Sequence, residues 1–120
     1  MAKKPRRSKE PAPPTWRIEE VATQRGENVV RKFITELGKQ DQEESAALLK
    51  TLAGKGNELG MPDSKALGGG LFELRGRQVR IFHCFRPGGR IVLLDGMVKQ
   101  RQNIPDDVLK RLRRLVERID

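Results

Sequence analysis

LFELRGRQVRIFHCFRPGGRIVLLDGMV, residues 71–98, is the stretch that decides the fold. Read in steps of two, it yields three strands, at Leu71–Arg75, residues 78–85 and residues 91–98. Gly76 and Arg77 suit a tight hairpin between the first two, and the run from Arg86 to Arg90 supplies the next turn. The third strand has apolar residues in consecutive positions, as a central strand covered on both faces does. The first two are interrupted by Glu73, Arg75, Arg77 and Arg80. Alternation sorts them: Phe72 and Leu74 point one way, and Leu71, Glu73 and Arg75 the other. On the second strand Val79, Ile81, His83 and Phe85 share one face, and Arg80, Phe82 and Cys84 the opposite one. With the apolar faces packed on helices, Glu73, Arg75 and Arg80 are expected together on an uncovered face. Cross-strand ion pairing on an open sheet accounts for such a cluster by itself. Lys99 and Arg101, just past the last strand, bring further cations to the same end.

Upstream, Trp16 and Ile18 alternate with Arg17 and Glu19, which predicts a first strand. Val29, Val30, Phe33, Ile34 and Leu37 recur at helical spacing, with Gly38 as a stop. A second amphipathic helix is expected to open near Gln42, with Leu48, Leu49, Leu52 and Ala53 as its stripe. The short joint predicts an antiparallel helix hairpin. Residues 60–70 read as a loop ending in three glycines. A phosphate-cradling glycine loop needs a helix directly after it, and here a strand follows. Downstream, Pro105 starts a helix whose apolar face is Val108, Leu112, Leu115, Val116 and Ile119. Lys110, Arg111, Arg113, Arg114 and Arg118 are expected on its exposed side. The predicted order is strand, helix, helix, three strands, helix: a small α+β fold with a mostly antiparallel sheet.

At 120 residues the chain is sized for one domain. Residues 1–14, with five Lys/Arg and four prolines, read as a disordered basic tail, and residues 15–120 as the single folded domain. The net charge of +9 is concentrated in that tail and in the second half of the chain. Such a distribution favours a polyanionic partner, nucleic acid first and an acidic protein second. One cysteine, Cys84, excludes an internal disulfide and a cysteine-cluster metal site. Neither a metal nor a cofactor is expected. No apolar run reaches the length of a membrane span, and prolines stand where the apolar core of a signal peptide would follow the N-terminal cations. A soluble, cytoplasmic protein is the expectation. The single histidine, His83, falls on the packing face beside Val79 and Ile81, as a satisfied, semi-buried side chain does and a general acid does not.

The string from Leu67 to Pro105 resembles the RelE/HigB superfamily of toxin endoribonucleases, and within it the phage-derived HigB-like branch. The likeness rests on Leu67, Gly70 to Arg75, Arg80 to His83, Ile91 to Leu94, Gly96, Lys99 and Pro105, and the order of elements over residues 15–120 agrees. The resemblance implies a RelE/ParE-like fold and the toxin of a type II toxin–antitoxin system. Such a toxin is an mRNA interferase that cleaves message on the ribosome and is held inactive by an antitoxin, commonly of helix-turn-helix type. In that family a ribose 2′-hydroxyl attacks the adjacent phosphate, which calls for proton transfer and for stabilisation of the charged phosphorane.

Carried onto this chain, Arg80 matches the arginine used at the scissile phosphate, where its fork suits two phosphate oxygens. Arg75 is then a second phosphate ligand or an aid to the leaving group, and Lys99 an RNA anchor or a proton-transfer group. Glu73 orients the two arginines in preference to acting as base, since a carboxylate beside two guanidinium groups is a weak base. Lys65, Arg77 and Arg101 are the candidate RNA-binding residues. The chain departs from the branch at Asp95, Met97 and Gln100, where histidine, an aromatic residue and lysine are usual. Those departures keep a second reading open: a non-cleaving inhibitor or binding protein of the same fold, gyrase-directed or degenerate.

Overall fold

The computed structural model describes residues 16–99 and 103–120. Within them the order is β1 (Arg17–Glu20), α1 (Val29–Thr35), α2 (Lys39–Lys55), β2 (Ser64–Gly68), β3 (Leu71–Arg75), β4 (Val79–Arg86), β5 (Arg90–Val98) and α3 (Asp106–Arg118). A 3-10 turn, Gly56–Glu58, ends α2. The strands form one sheet in the order β1-β5-β4-β3-β2. Three of the four pairings are antiparallel, and β1 runs parallel to β5. The result is a mixed α+β fold with a mostly antiparallel sheet. The expected tail at residues 1–14, with Arg101 and Gln100, lies outside the described residues.

The expected loop at residues 60–70 is in part a strand. Ser64, Lys65 and Ala66 pair with Leu74, Glu73 and Phe72, so β2 extends the sheet at its edge. Its composition hid it, because an edge strand carrying serine, lysine and alanine has no apolar alternation. Gly69 and Gly70, at φ +66° and +81°, make the turn into β3, in a region that disfavours a Cβ. The second helix begins at Lys39, before its apolar stripe does, with Gly38 in extended conformation ahead of it.

Both sides of the sheet are covered. Val30 of α1 and Leu52 of α2 pack with Leu74, Val79, Ile81, Ile91 and Leu93 on one side. On the other, Leu112 and Val116 of α3 pack with Leu71, Phe82, Cys84, Val92 and Leu94. The alternation read from the sequence is therefore correct, but the face that carries Arg80 is not open: α3 lies across much of it. All of residues 91–94 are buried, consistent with a strand covered from both sides.

A bulge in β5 adjusts this pattern where the charges begin. His83 pairs with Leu93 but Phe82 pairs with Asp95, which leaves Leu94 as an extra residue. Leu94 and Asp95 consequently both face α3. There Asp95 accepts a 2.8 Å hydrogen bond from Arg111 Nη2. Two residues on, the same shift sets Met97 directly opposite Arg80.

The α1/α2 side holds His83, which is fully buried. Its ring stacks on Phe72 with centroids 5.8 Å apart and meets the edge of Phe85 at 5.3 Å. Neither ring nitrogen has a hydrogen-bond partner, so the expectation of a satisfied, semi-buried side chain is corrected on both counts. Apolar alternation places the ring correctly but says nothing of whether a polar group reaches it. Burial lowers its pKa from the ordinary 6.5 to about 4.

Two tests follow from this packing. A Cβ on Gly96 would lie 2.4 Å from the Phe33 ring. Gly96→Ala is therefore expected to cost about 1–3 kcal/mol in urea unfolding, partly restored by Phe33→Leu. His83 binds its proton more weakly in the folded chain than in the unfolded one, so stability is full above pH 6.5 and falls as the pH drops toward 4. The loss should approach ~3 kcal/mol, and His83→Phe should flatten that part of the stability–pH curve. Glu19, held below the usual carboxylate range by its hydrogen bonds with Arg90, adds a loss that begins only as the pH falls below its ordinary 4.5.

Candidate functional site

Five sequence candidates, Glu73, Arg75, Arg80, Lys65 and Lys99, meet on the α3 side of the sheet. Register sets Arg75 of β3 directly opposite Arg80 of β4, two like charges on adjacent strands. Such a pair is unfavourable unless something intervenes. Glu73 does: its Oε1 lies 3.5 Å from Arg75 Nε and its Oε2 3.6 Å from Arg80 Nε. One carboxylate thus bridges both guanidinium groups. Glu73 and Arg80 are buried, at 6% and 8% exposure, and Arg75 is half-buried. Arg80 Nη1 also donates to the carbonyls of Gly76 and Val79. Its fork is anchored from behind, as a preorganised anion ligand requires.

These residues form the floor of an open cleft of about 460 Å³. Lys65 enters it from β2 and Lys99 from the end of β5. The Lys99 amide donates 2.6 Å to the Gln78 carbonyl, which keeps this segment beside β4. In strand order the cations run Lys99, Arg80, Arg75, Lys65, a diagonal across four neighbouring strand positions. The charged lining comprises these four cations with Glu73 and Asp106, so the cleft is net positive. It suits a phosphate ester at its centre and further phosphates along the row.

The other side chains of the lining are Leu67, Met97, Asn103, Ile104 and Leu109. The sequence reading did not assign them to the site. Met97 had no signal in the alternation: a bulge at Leu94 puts it on the Arg80 face, and bulges are not visible in the apolar pattern. Leu109 and Ile104 reach the cleft only because α3 crosses the sheet at its N-terminal end.

One described candidate is not brought in. Arg77 is exposed in the β3–β4 turn and is not part of the cleft wall. Its amide and that of Gln78 donate to the Glu44 carboxylate at 2.6 and 3.2 Å, tying the turn to α2 on the opposite side. Arg101 falls outside the described residues. Arg113, expected on the exposed side of α3, is half-buried and donates from Nη2 to the Leu67 carbonyl. Arg111 is engaged by Asp95. No helix among the described residues is long and apolar enough to cross a membrane.

The family described as phage derived protein Gp49-like (DUF891) matches residues 32–117, well over half of the chain. No curated protein matches it.

The bridging carboxylate makes a testable demand on stability. Arg80→Ala leaves Glu73 buried with half its compensation, and a loss of about 3 kcal/mol is expected in urea unfolding. Glu73→Ala leaves the two arginines opposed and should cost a comparable amount. The double variant should cost clearly less than the two losses combined, because each single change strands the other's charge.

Proposed function

We propose that this chain, which belongs to the phage-derived Gp49-like family of RelE/HigB-like toxins, is a ribosome-dependent mRNA endoribonuclease of the HigB-like branch. The family is associated with the toxins of toxin–antitoxin systems, which implies an antitoxin partner. On this reading that partner is of the helix-turn-helix type, and the toxin acts in the cytoplasm on translating ribosomes.

The observation that carries the reading is the convergence of Glu73, Arg75, Arg80, Lys65 and Lys99 on one open, net positive cleft. In the proposed reaction the ribose 2′-oxygen bonds to the neighbouring phosphorus and the bond to the 5′-oxygen breaks. The products are a 2′,3′-cyclic phosphate and a 5′-hydroxyl. The 2′-hydroxyl gives up a proton and the leaving oxygen takes one up. Negative charge grows on the non-bridging oxygens meanwhile, and the Arg80 fork, fixed by two carbonyls and Glu73, meets it without reorganising. Arg75, half exposed to the cleft, serves as the second phosphate ligand or steadies the leaving group. Lys99 anchors the strand or moves a proton, and Lys65 holds a flanking phosphate. Arg77 would act as an RNA contact outside this cleft, and Arg101 as a further RNA contact.

A specific observation favours the alternative of a non-cleaving binding protein. The chain's one histidine is buried on the far side of the sheet, so no imidazole serves the cleft. Proton transfer would rest on lysine or carboxylate groups, which are less well matched to neutral pH.

Mapping mRNA ends on translating ribosomes incubated with the purified protein separates the two. Cuts within the decoding-site codon are expected, and Arg80→Lys should slow them by roughly 10²–10³-fold, as loss of a transition-state donor does. Arg75→Ala should slow them as well. Folding of each variant is checked by circular dichroism. Intact message from a folded, ribosome-bound protein would select the non-cleaving reading.

A further inference from the structure

The cleft has two chemically different halves. Its floor is the charged row on the sheet; its wall is Leu67, Met97, Ile104 and Leu109, all half-buried members of the apolar cluster beneath α3. Among the described residues, the edge of a hydrophobic core thus lines the same hollow as four cations. Solvated phosphate binding alone gives no reason for that, since four apolar side chains facing water gain nothing from a phosphate. Met97 is the hinge between the halves. It lies directly opposite Arg80 in the β4–β5 register, on the same face, so the two side chains leave the sheet about 5 Å apart.

We propose that the wall is a nucleobase slot: a single unpaired nucleotide binds with its phosphate on Arg80 and Arg75 and its base against Met97, Ile104 and Leu109. This rests on the nucleic-acid reading of the cleft and adds to it the half of the ligand that the arginines do not address. A volume of about 460 Å³ is in the range that encloses one small ligand. The apolar wall and the thioether of Met97 offer the flat base a surface to lie on. Contact with the base face is indifferent to its hydrogen-bonding edge, so the slot accepts purines and pyrimidines and selects single strands over duplexes.

The test needs no ribosome and no cleavage. The full chain, labelled with ¹³C in its methionine methyls, is titrated with adenosine 5′-monophosphate, ribose 5-phosphate and inorganic phosphate. Three methionines give three signals at most, and Met97→Leu assigns the relevant one. With the nucleotide, the Met97 methyl should move upfield from the ring current of the base. With the two base-free phosphates it should stay close to its starting position. The nucleotide should bind about tenfold more tightly than ribose 5-phosphate, and Met97→Gln, which keeps the length but adds an amide, should remove most of that preference. Equal affinity for nucleotide and ribose 5-phosphate, an unmoved Met97 signal, or no binding of the nucleotide at all would each overturn the slot. Nucleotide binding with these signatures in a protein that leaves message intact would keep the slot and remove the nuclease. Codon cleavage without them would do the reverse.

Discussion

A single carboxylate held between two opposed guanidinium groups constrains everything around it. Antiparallel register forces Arg75 and Arg80 to face each other, and Glu73, two residues before Arg75 on the same strand, is the only group of β3 positioned to separate them. The arrangement is buried on one side and open on the other. That asymmetry costs stability, because ions are being withdrawn from water, and it leaves two cations lining a cleft, Arg80 with its Nη1 already engaged by backbone carbonyls. A site of this kind trades folding free energy for electrostatic readiness.

The last helix completes the site, and arginines hold it there. Arg86 Nε donates 2.9 Å to the Ile119 carbonyl and its Nη2 to that of Val116, satisfying carbonyls at the C-terminal end of α3. Arg90 joins the Asp120 carbonyl at 2.7 Å to Glu19 of β1, Arg111 reaches Asp95 and Arg113 reaches Leu67. Four cations from the basic second half of the sequence are therefore employed in fastening α3 to the sheet and to the β2–β3 turn. Net charge read from composition counts them as available to a polyanion, and in the fold they are largely committed. Of the others in that half, Lys65, Arg75, Arg80 and Lys99 line the cleft, while Arg77, Lys110, Arg114 and Arg118 are exposed away from it.

Asp95 changes meaning in the same way. In sequence it stands where the resembled branch has a histidine, and it reads as a lost proton-transfer group. In the fold it accepts the Gly96 amide at 2.8 Å and the Arg111 guanidinium at the same distance. It thus helps to fix both the bulge and the helix that walls the cleft. His83 shows the converse. A polar residue on an apolar face was legible, but only the packing of Phe72 and Phe85 around it reveals a ring with no partner and a depressed pKa.

Period-two alternation in residues 71–85 determined two strands and the sides on which their residues fall, a run of consecutive apolar residues marked the third, and helical spacing determined three helices, because burial imposes those patterns whatever the partner. The same arithmetic brought Glu73, Arg75 and Arg80 to one face. It could not show β2, whose pairing is carried by backbone hydrogen bonds and not by side-chain pattern. Nor could it show that α3 covers the charged face, since which surface a helix covers depends on contacts distant in sequence. The cleft exists only through that crossing. Its floor was written in the alternation of two strands; its wall, Met97 with Ile104 and Leu109, was decided by a one-residue bulge and by where a helix came to rest.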